Sequence, residues 1–226
     1  MGTQSICGTD DRVISQERSV GFVRSHSGDV SDRFCTLTLI SESCALTAGH
    51  CLHHLDEAEF FDSDFSTAGN EKSAHPNRYK VDKSSIRALQ SRIGNDWSVV
   101  NLQPHPVTGV LPGKVHGFTE VELNPQTPLE GSLEIHSVQR NTQGRHARVS
   151  ARGEVLWTDG SILFHDLDTA PGSSGSLVVD AASGRAVAIH THGGCDTMKN
   201  NKATIIARAP YLVKAIKACF VRESRQ

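Results

Sequence analysis

Apolar residues come in short runs broken by glycine, proline, serine and aspartate, and the runs are too short for amphipathic helices. In the first half, residues 20–24, 33–40, 45–48, 78–81, 85–89 and 97–102 read as strands. A polar segment, residues 25–32, separates the first two. In the second half, residues 132–138, 147–155, 161–164, 177–179, 186–190 and 202–207 read the same way, with a turn at Ala182-Ser-Gly184. Residues 52–73 are mixed and acidic, with Phe60, Phe61 and Phe65, and predict a loop. Residues 103–117 carry three prolines and three glycines and predict an interdomain linker. Helical periodicity appears only at the end. Pro210 suits a first helical turn, and Leu212, Ile216 and Cys219 share one face of a helix over residues 211–221. Many short strands and one terminal helix predict an all-β architecture, without repeats or low-complexity segments.

Composition narrows the function. The chain has 226 residues, room for one large domain or two barrels sharing an interface. A net charge of −2 with scattered basic residues argues against nucleic acid as a partner. No apolar stretch approaches the roughly 18 residues of a membrane span, so no membrane association is expected. Met1-Gly-Thr-Gln-Ser5 has no apolar core of a signal peptide, so the numbering is expected to start on a processed form. Six cysteines favour disulfides and an oxidising compartment, and their positions form no CxxC pair for zinc. His50, His53 and His54 lack a carboxylate at ligand spacing, and no loop has the acidic spacing of a calcium site. No metal or organic cofactor is expected.

Three stretches could carry chemistry. The first is a hairpin, residues 36–40 and 45–48 around Ser41-Glu-Ser43, with Cys35 and Cys51 placed at its ends to staple it. His50 then sits at a rigid strand end, where a general base is held in place. The second is Asp96, at the start of Trp97-Ser-Val-Val, where a buried carboxylate can fix an imidazole tautomer. The third is Pro171-Gly-Ser-Ser174-Gly-Ser176, a turn that can expose the Ser174 hydroxyl and aim the Gly172 and Ser174 N–H groups at one point as an oxyanion hole. Each has an ordinary reading: a stapled hairpin, a turn aspartate, a glycine-serine loop. Their order, His then Asp then Ser, in an all-β chain raises the catalytic reading above these. An α/β-hydrolase elbow would instead need Gly-x-Ser-x-Gly, with the histidine last.

Leu46-Thr-Ala-Gly-His50-Cys51, Asp96-Trp-Ser-Val-Val and Gly172-Ser-Ser174-Gly-Ser176 together resemble the three catalytic blocks of the chymotrypsin-like serine peptidases, over roughly residues 6–220. The resemblance implies two antiparallel six-stranded β-barrels with the triad between them. It implies a first barrel over residues 6–111 with His50 and Asp96, a second over 118–209 with Ser174 and the S1 pocket, and a helix over 210–222. It also implies a Cys35–Cys51 disulfide. The helix would lie over the first barrel, favouring Cys44–Cys219 and leaving Cys7–Cys195; on sequence alone, three connectivities stay open.

The bacterial glutamyl endopeptidases, the group of staphylococcal V8 protease, are a nearer resemblance. Ser5-Ile-Cys-Gly-Thr-Asp-Asp-Arg12 resembles their mature N-terminus, and Gly-Ser-Ser174-Gly-Ser176 replaces the Gly-Asp-Ser-Gly-Gly of trypsin. The resemblance implies an S1 pocket lined by Thr169, His190, Thr191 and Gly193. Thr169 and His190 would donate to a substrate carboxylate, and the free α-amine of the mature N-terminus would add charge. His192 stands where the group carries tryptophan, and the group's type member lacks these cysteines. The expected protein is a secreted, monomeric serine endopeptidase, extracellular or periplasmic, made as a zymogen and cutting proteins or peptides after glutamate. Its rivals are a peptidase of the same fold with another P1 specificity and a catalytically idle binding or toxin-like module.

Overall fold

The computed structural model describes residues 5–24, 35–61, 77–124, 128–140 and 146–225. The polar segment 25–32, the start of the strand expected from residue 33 and residues 62–73, with Phe65, lie outside them.

In chain order the strands are β1 Val13–Ile14, β2 Val20–Arg24, β3 Thr36–Leu39, β4 Cys44–Thr47, β5 Glu57–Phe60, β6 Arg78–Lys80, β7 Arg87–Gln90, β8 Asp96–Asn101, β9 Ser132–Arg140, β10 His146–Asp159, β11 Ile162–His165, β12 Leu177–Asp180, β13 Ala186–His192 and β14 Asn201–Ile205. The α-helices are α1 Pro112–His116, α2 Cys195–Met198 and α3 Pro210–Glu223.

The strands form two antiparallel sheets. The first runs β6-β5-β2-β3-β4-β8-β7. It curls until Val81 bridges Leu102, with Gln103 N donating to Lys80 O at 2.8 Å and Asp82 N to Asn101 O at 2.9 Å. The second is a closed barrel, β9-β10-β11-β14-β13-β12, because β10 pairs with both β9 and β11; β1 adds to β10 at the margin. This is the chymotrypsin fold, with one barrel closed by a full ladder and the other a curled sheet.

Alternation sets each interior. Leu37, Leu39, Ala45, Ala58, Tyr79 and Val100 fill the first sheet; Leu133, Ile135, Leu163, Val178, Ala188 and Ala203 fill the second. The opposite faces of β4 and β8 meet β13 and α3 in a shared core of Cys44, Leu46, Val99, Ile189, Leu212 and Ile216. Burying such a side chain stabilises by about 1.5–3 kcal/mol, so this core holds the two sheets in register. Cys219 lies inward on α3 and is bonded to Cys44; Cys35 is bonded to Cys51 and Cys7 to Cys195. Glu223, at the end of α3, accepts hydrogen bonds from Ser41 Oγ and Ser43 N and ties the helix to the β3–β4 turn.

Several elements differ from expectation. Residues 52–60 hold the end of a 3₁₀ turn, Gly49–His54, and then β5, where Ala58 and Phe60 alternate inward between two glutamates. Residues 83–85 form a 3₁₀ turn capped by Asp82, which accepts from Ser84 N, so the strand begins two residues later than expected. The proline- and glycine-rich segment holds α1, begun by Pro112. β10 extends to Asp159, and β1 was not foreseen because two exposed residues carry no periodic signal.

Candidate active site

His50 follows β4 directly, in the 3₁₀ turn that Gly49 opens. A Cβ on Gly49 would stand 2.1 Å from Leu89 O and 2.8 Å from Asp96 Oδ1. Only glycine lets β7 and Asp96 close on this turn. Asp96 opens β8, is 3% exposed, and accepts from His50 N at 2.8 Å through Oδ1 and from His50 Nδ1 at 2.6 Å through Oδ2. A carboxylate only accepts, so Nδ1 carries the hydrogen and Nε2 keeps its lone pair free for a proton. Cys35, Cys51 and His50 bring possible ligand atoms within 4.8 Å, but both sulfurs are spent in the disulfide.

Ser174 sits half-buried on a tight turn. Gly172 has φ +105° and Gly175 φ +90°, values that favour glycine. Both sheets hold this turn. Thr36 N on β3 donates to Ser174 O at 2.8 Å and Gly172 O at 3.0 Å, and Gly175 N donates to His190 O at 2.9 Å. A Cβ on Gly175 would stand 2.2 Å from Thr47 Oγ1, 2.3 Å from Thr36 O and 2.9 Å from Ala48 N. Ala48 is two residues before His50, so Ser174 is pinned to the seam that carries the histidine. Ser173 turns inward, accepting from Gln139 Nε2 at 2.9 Å and Ala170 N at 3.1 Å.

Beside this turn, Thr169 and Ser5 form an antiparallel bridge, with Ser5 N donating to Thr169 O at 2.9 Å. Asn201, at the start of β14, organises the pair: its Nδ2 donates to Leu167 O at 2.7 Å, Ser5 O at 3.0 Å and Thr169 Oγ1 at 3.2 Å. Ser5 Oγ accepts from Gly194 N and Cys195 N at 2.7 and 2.9 Å. A Cβ on Gly193 would meet Ser5 Cβ at 2.8 Å, so glycine permits this layering. Asp168 fixes the segment after Ser5 by accepting from Cys7 N at 2.7 Å and Asp11 N at 3.1 Å.

His190 is buried on β13, its Nδ1 3.3 Å from Nε2 of fully buried His165 on β11. Burial, and then the Lys202 charge, push the His165 pKa down to about 3. Burial, followed by His165, His192 and His50, puts His190 well below the ordinary histidine value. Both rings are therefore neutral near pH 7. Thr191 is buried and directs its hydroxyl to Lys202 O at 3.4 Å, with the same oxygen 2.9 Å from His192 Nδ1. An open cleft of about 400 Å³ runs past His50, Asp96, Thr191 and His192 to Gln90, Ser91 and Arg92.

The structure thus gathers His50 with Asp96, Ser174 on the adjoining seam, and Thr169, Gly193 and Ser5 in one layer. Sequence reading missed Asn201 and His165. A buried asparagine opening a strand runs against strand preference, which was its one available signal. His165 had none, because its cross-barrel partner is 25 residues away.

Compared with solved structures, the chain is similar to a Glu endopeptidase solved with MPD, at TM-score 0.71 and 18% identity over 95% of this chain and 98% of that one. It is similar to the protease Anisep from Arthrobacter nicotinovorans, at 0.63 and 14% over 86% and 93%. A scabies mite inactivated protease paralogue, S-D1, matches at 0.63 and 13% over 96% and 97%. At these identities the likeness is one of fold. No curated protein matches the chain by sequence. The family model for the trypsin-like peptidase domain matches residues 21–189, most of the chain and all three chemical stretches in full, and the chain belongs to that family.

Proposed function

We propose that this chain is a secreted serine endopeptidase that cleaves after acidic residues, glutamate foremost. The observation that carries the reading is the buried Asp96 holding both His50 N and Nδ1, beside a serine turn pinned to the same seam. In this reading His50 Nε2 takes the proton of Ser174 Oγ as that oxygen attacks the scissile carbonyl. The resulting oxyanion takes hydrogen bonds from Gly172 N and Ser174 N. His50 returns the proton to the leaving amine, and water then resolves the acyl-enzyme with His50 as base again. Asp96 orients the ring and stabilises the imidazolium.

Acidic specificity rests on the layer around Thr169. Thr169 Oγ1 accepts from Asn201, which leaves its own hydrogen for a ligand. His190 is kept neutral by burial, and a substrate carboxylate beside it would favour its charged form and gain a charge-assisted bond. Ser5 N lies against Thr169 O, so a chain trimmed to Ser5 would place its α-amine in this layer. In this reading the two barrels, expected over residues 6–111 and 118–209 but with the segment up to β1 attached to the second, each contribute chemistry, and one copy completes the site. Three disulfides support an extracellular or periplasmic setting. Among the described residues no helix is long and apolar enough to cross a membrane.

The test compares peptides that differ only at P1 (Glu, Asp, Gln, Lys, Phe), using the chain trimmed to Ser5, the Met1 form, and Ser174→Ala as blank. The expected result is a preference for Glu that trimming strengthens. Turnover without acidic preference would remove the roles given to Thr169 and His190. No turnover in either form would favour an idle homologue.

A further inference from the structure

Four side chains form a row across the outer face of the second barrel. Trp157 on β10 pairs with Phe164 on β11, Phe164 with Lys202 on β14, and Lys202 with His192 on β13. Directly paired residues project from the same face of a sheet. Here the inward positions belong to their neighbours Leu163, Ala203 and His190. The Trp157 and Phe164 rings stack at 4.3 Å, and Lys202 Nζ lies 5.9 Å from the Phe164 centroid. At the other end the His192 ring is 6.1 Å from the His50 ring. The row therefore runs from an exposed aromatic platform to the candidate base.

Lys202 is unusual in this row. The residue is 6% exposed, and the described residues give its ammonium the Phe164 ring but no carboxylate and no hydrogen-bond acceptor. A Cβ on Gly194 would stand 3.2 Å from Nζ, so that glycine leaves space beside the charge. Desolvation lowers the pKa of this ammonium, and a partly desolvated charge without an anion is a ready partner for an incoming carboxylate. Across the cleft, exposed Arg92 adds a second positive charge, and Asp96 is already committed to His50. Trp157 is 48% exposed, a large apolar surface next to that charge.

We propose that His192, Lys202, Phe164 and Trp157 form an extended subsite for the peptide on the N-terminal side of the scissile bond, selecting an acidic side chain at Lys202 and an apolar one beyond it at Trp157. The proposal rests on the peptidase reading. If P1 lies against His190, the residues before it pass Thr191 and His192 and then cross the row from β13 towards β10. Adjacent strands are about 4.8 Å apart and an extended peptide advances about 3.3 Å per residue, which puts the acidic residue roughly three residues before the bond and the apolar one about three further. The ligand class is a peptide with clustered acidic residues preceded by an apolar one.

The test measures binding and turnover separately. Fluorescein-labelled peptides with Glu at P1 carry a second Glu, or Gln in its place, at P2, P3, P4 or P5 in turn. Their affinities for Ser174→Ala are read by anisotropy, which needs no catalysis. We expect Glu to bind about tenfold or more tighter than Gln at one position, P3 or P4, as for a charge-assisted hydrogen bond. The difference should shrink in high salt, vanish in Lys202→Met and persist in Lys202→Arg. Trp157→Ala should weaken only peptides with an apolar residue further out. Equal affinity for the Glu and Gln peptides at every position, read on the chain with Lys202 intact, would overturn the proposal even if Lys202→Met failed to fold. Failure of Ser174 to react with a fluorophosphonate would instead strike the peptidase reading, and the anisotropy result would still decide the subsite.

Discussion

The pair His165–His190 makes acid stability a readout of the candidate specificity pocket. His165 has no exposed surface, and its pKa is held at about 3 against an ordinary 6.5. The unfolded chain therefore binds a proton that the folded chain refuses between those values, so stability falls as pH drops from 6.5 toward 3. At 1.36 kcal/mol per pH unit, His165 alone withdraws about 2 kcal/mol by pH 5 and about 3 kcal/mol by pH 4. For a chain of this size, 2 kcal/mol is about 4–8 °C in melting temperature. The assay follows Tm by calorimetry from pH 7 to pH 4 for the unsubstituted chain and for His165→Phe, which keeps an aromatic ring in the barrel and removes the titrating group. The expected result is a shallower pH dependence for the variant, with curves converging in acid; His190 keeps part of the slope because its pKa is lowered too. Parallel curves would refute the reasoning, because they would mean that His165 has equal proton affinity in both states.

Two substitutions probe the seam. Asp96→Asn turns an amide toward His50 Nδ1 and selects the tautomer with hydrogen on Nε2; kcat should fall about 10⁴-fold with Tm little changed, measured on a P1-Glu peptide. Gly175→Ala drives a methyl into Thr47 Oγ1 and Thr36 O at positive φ, and should cost about 2–4 kcal/mol in urea unfolding and most of the activity, where an unchanged midpoint would show that the turn is not clamped between the sheets.

The fold class was legible because strands announce themselves through short apolar runs, and all but β1 and β5 of the described strands overlap one. The pairing of sheets was not, because it depends on contacts far apart in sequence such as Gly175 against Ala48. Within the site, His50, Asp96 and Ser174 stood out through their neighbours: a glycine that admits a close approach, a strand start, a turn of two positive-φ glycines. His165 and Lys202 were silent, since a lone polar residue in a strand does not reveal which face it takes or what lies across the barrel. Thr191 shows the reverse. The resemblance implied a pocket wall; the residue lines the cleft beside His50, and its hydroxyl is bonded to Lys202 O, a partner that the sequence does not announce.

The central claim is that Ser174 is a nucleophile activated by His50. Intact-mass measurement after exposure to a fluorophosphonate, with peptide mapping of the modified residue, tests it most directly. The account predicts one adduct per chain, located on Ser174, and none on Ser174→Ala or after His50→Ala. A folded, trimmed chain that stays unmodified, or that carries its adduct on another serine, would contradict it.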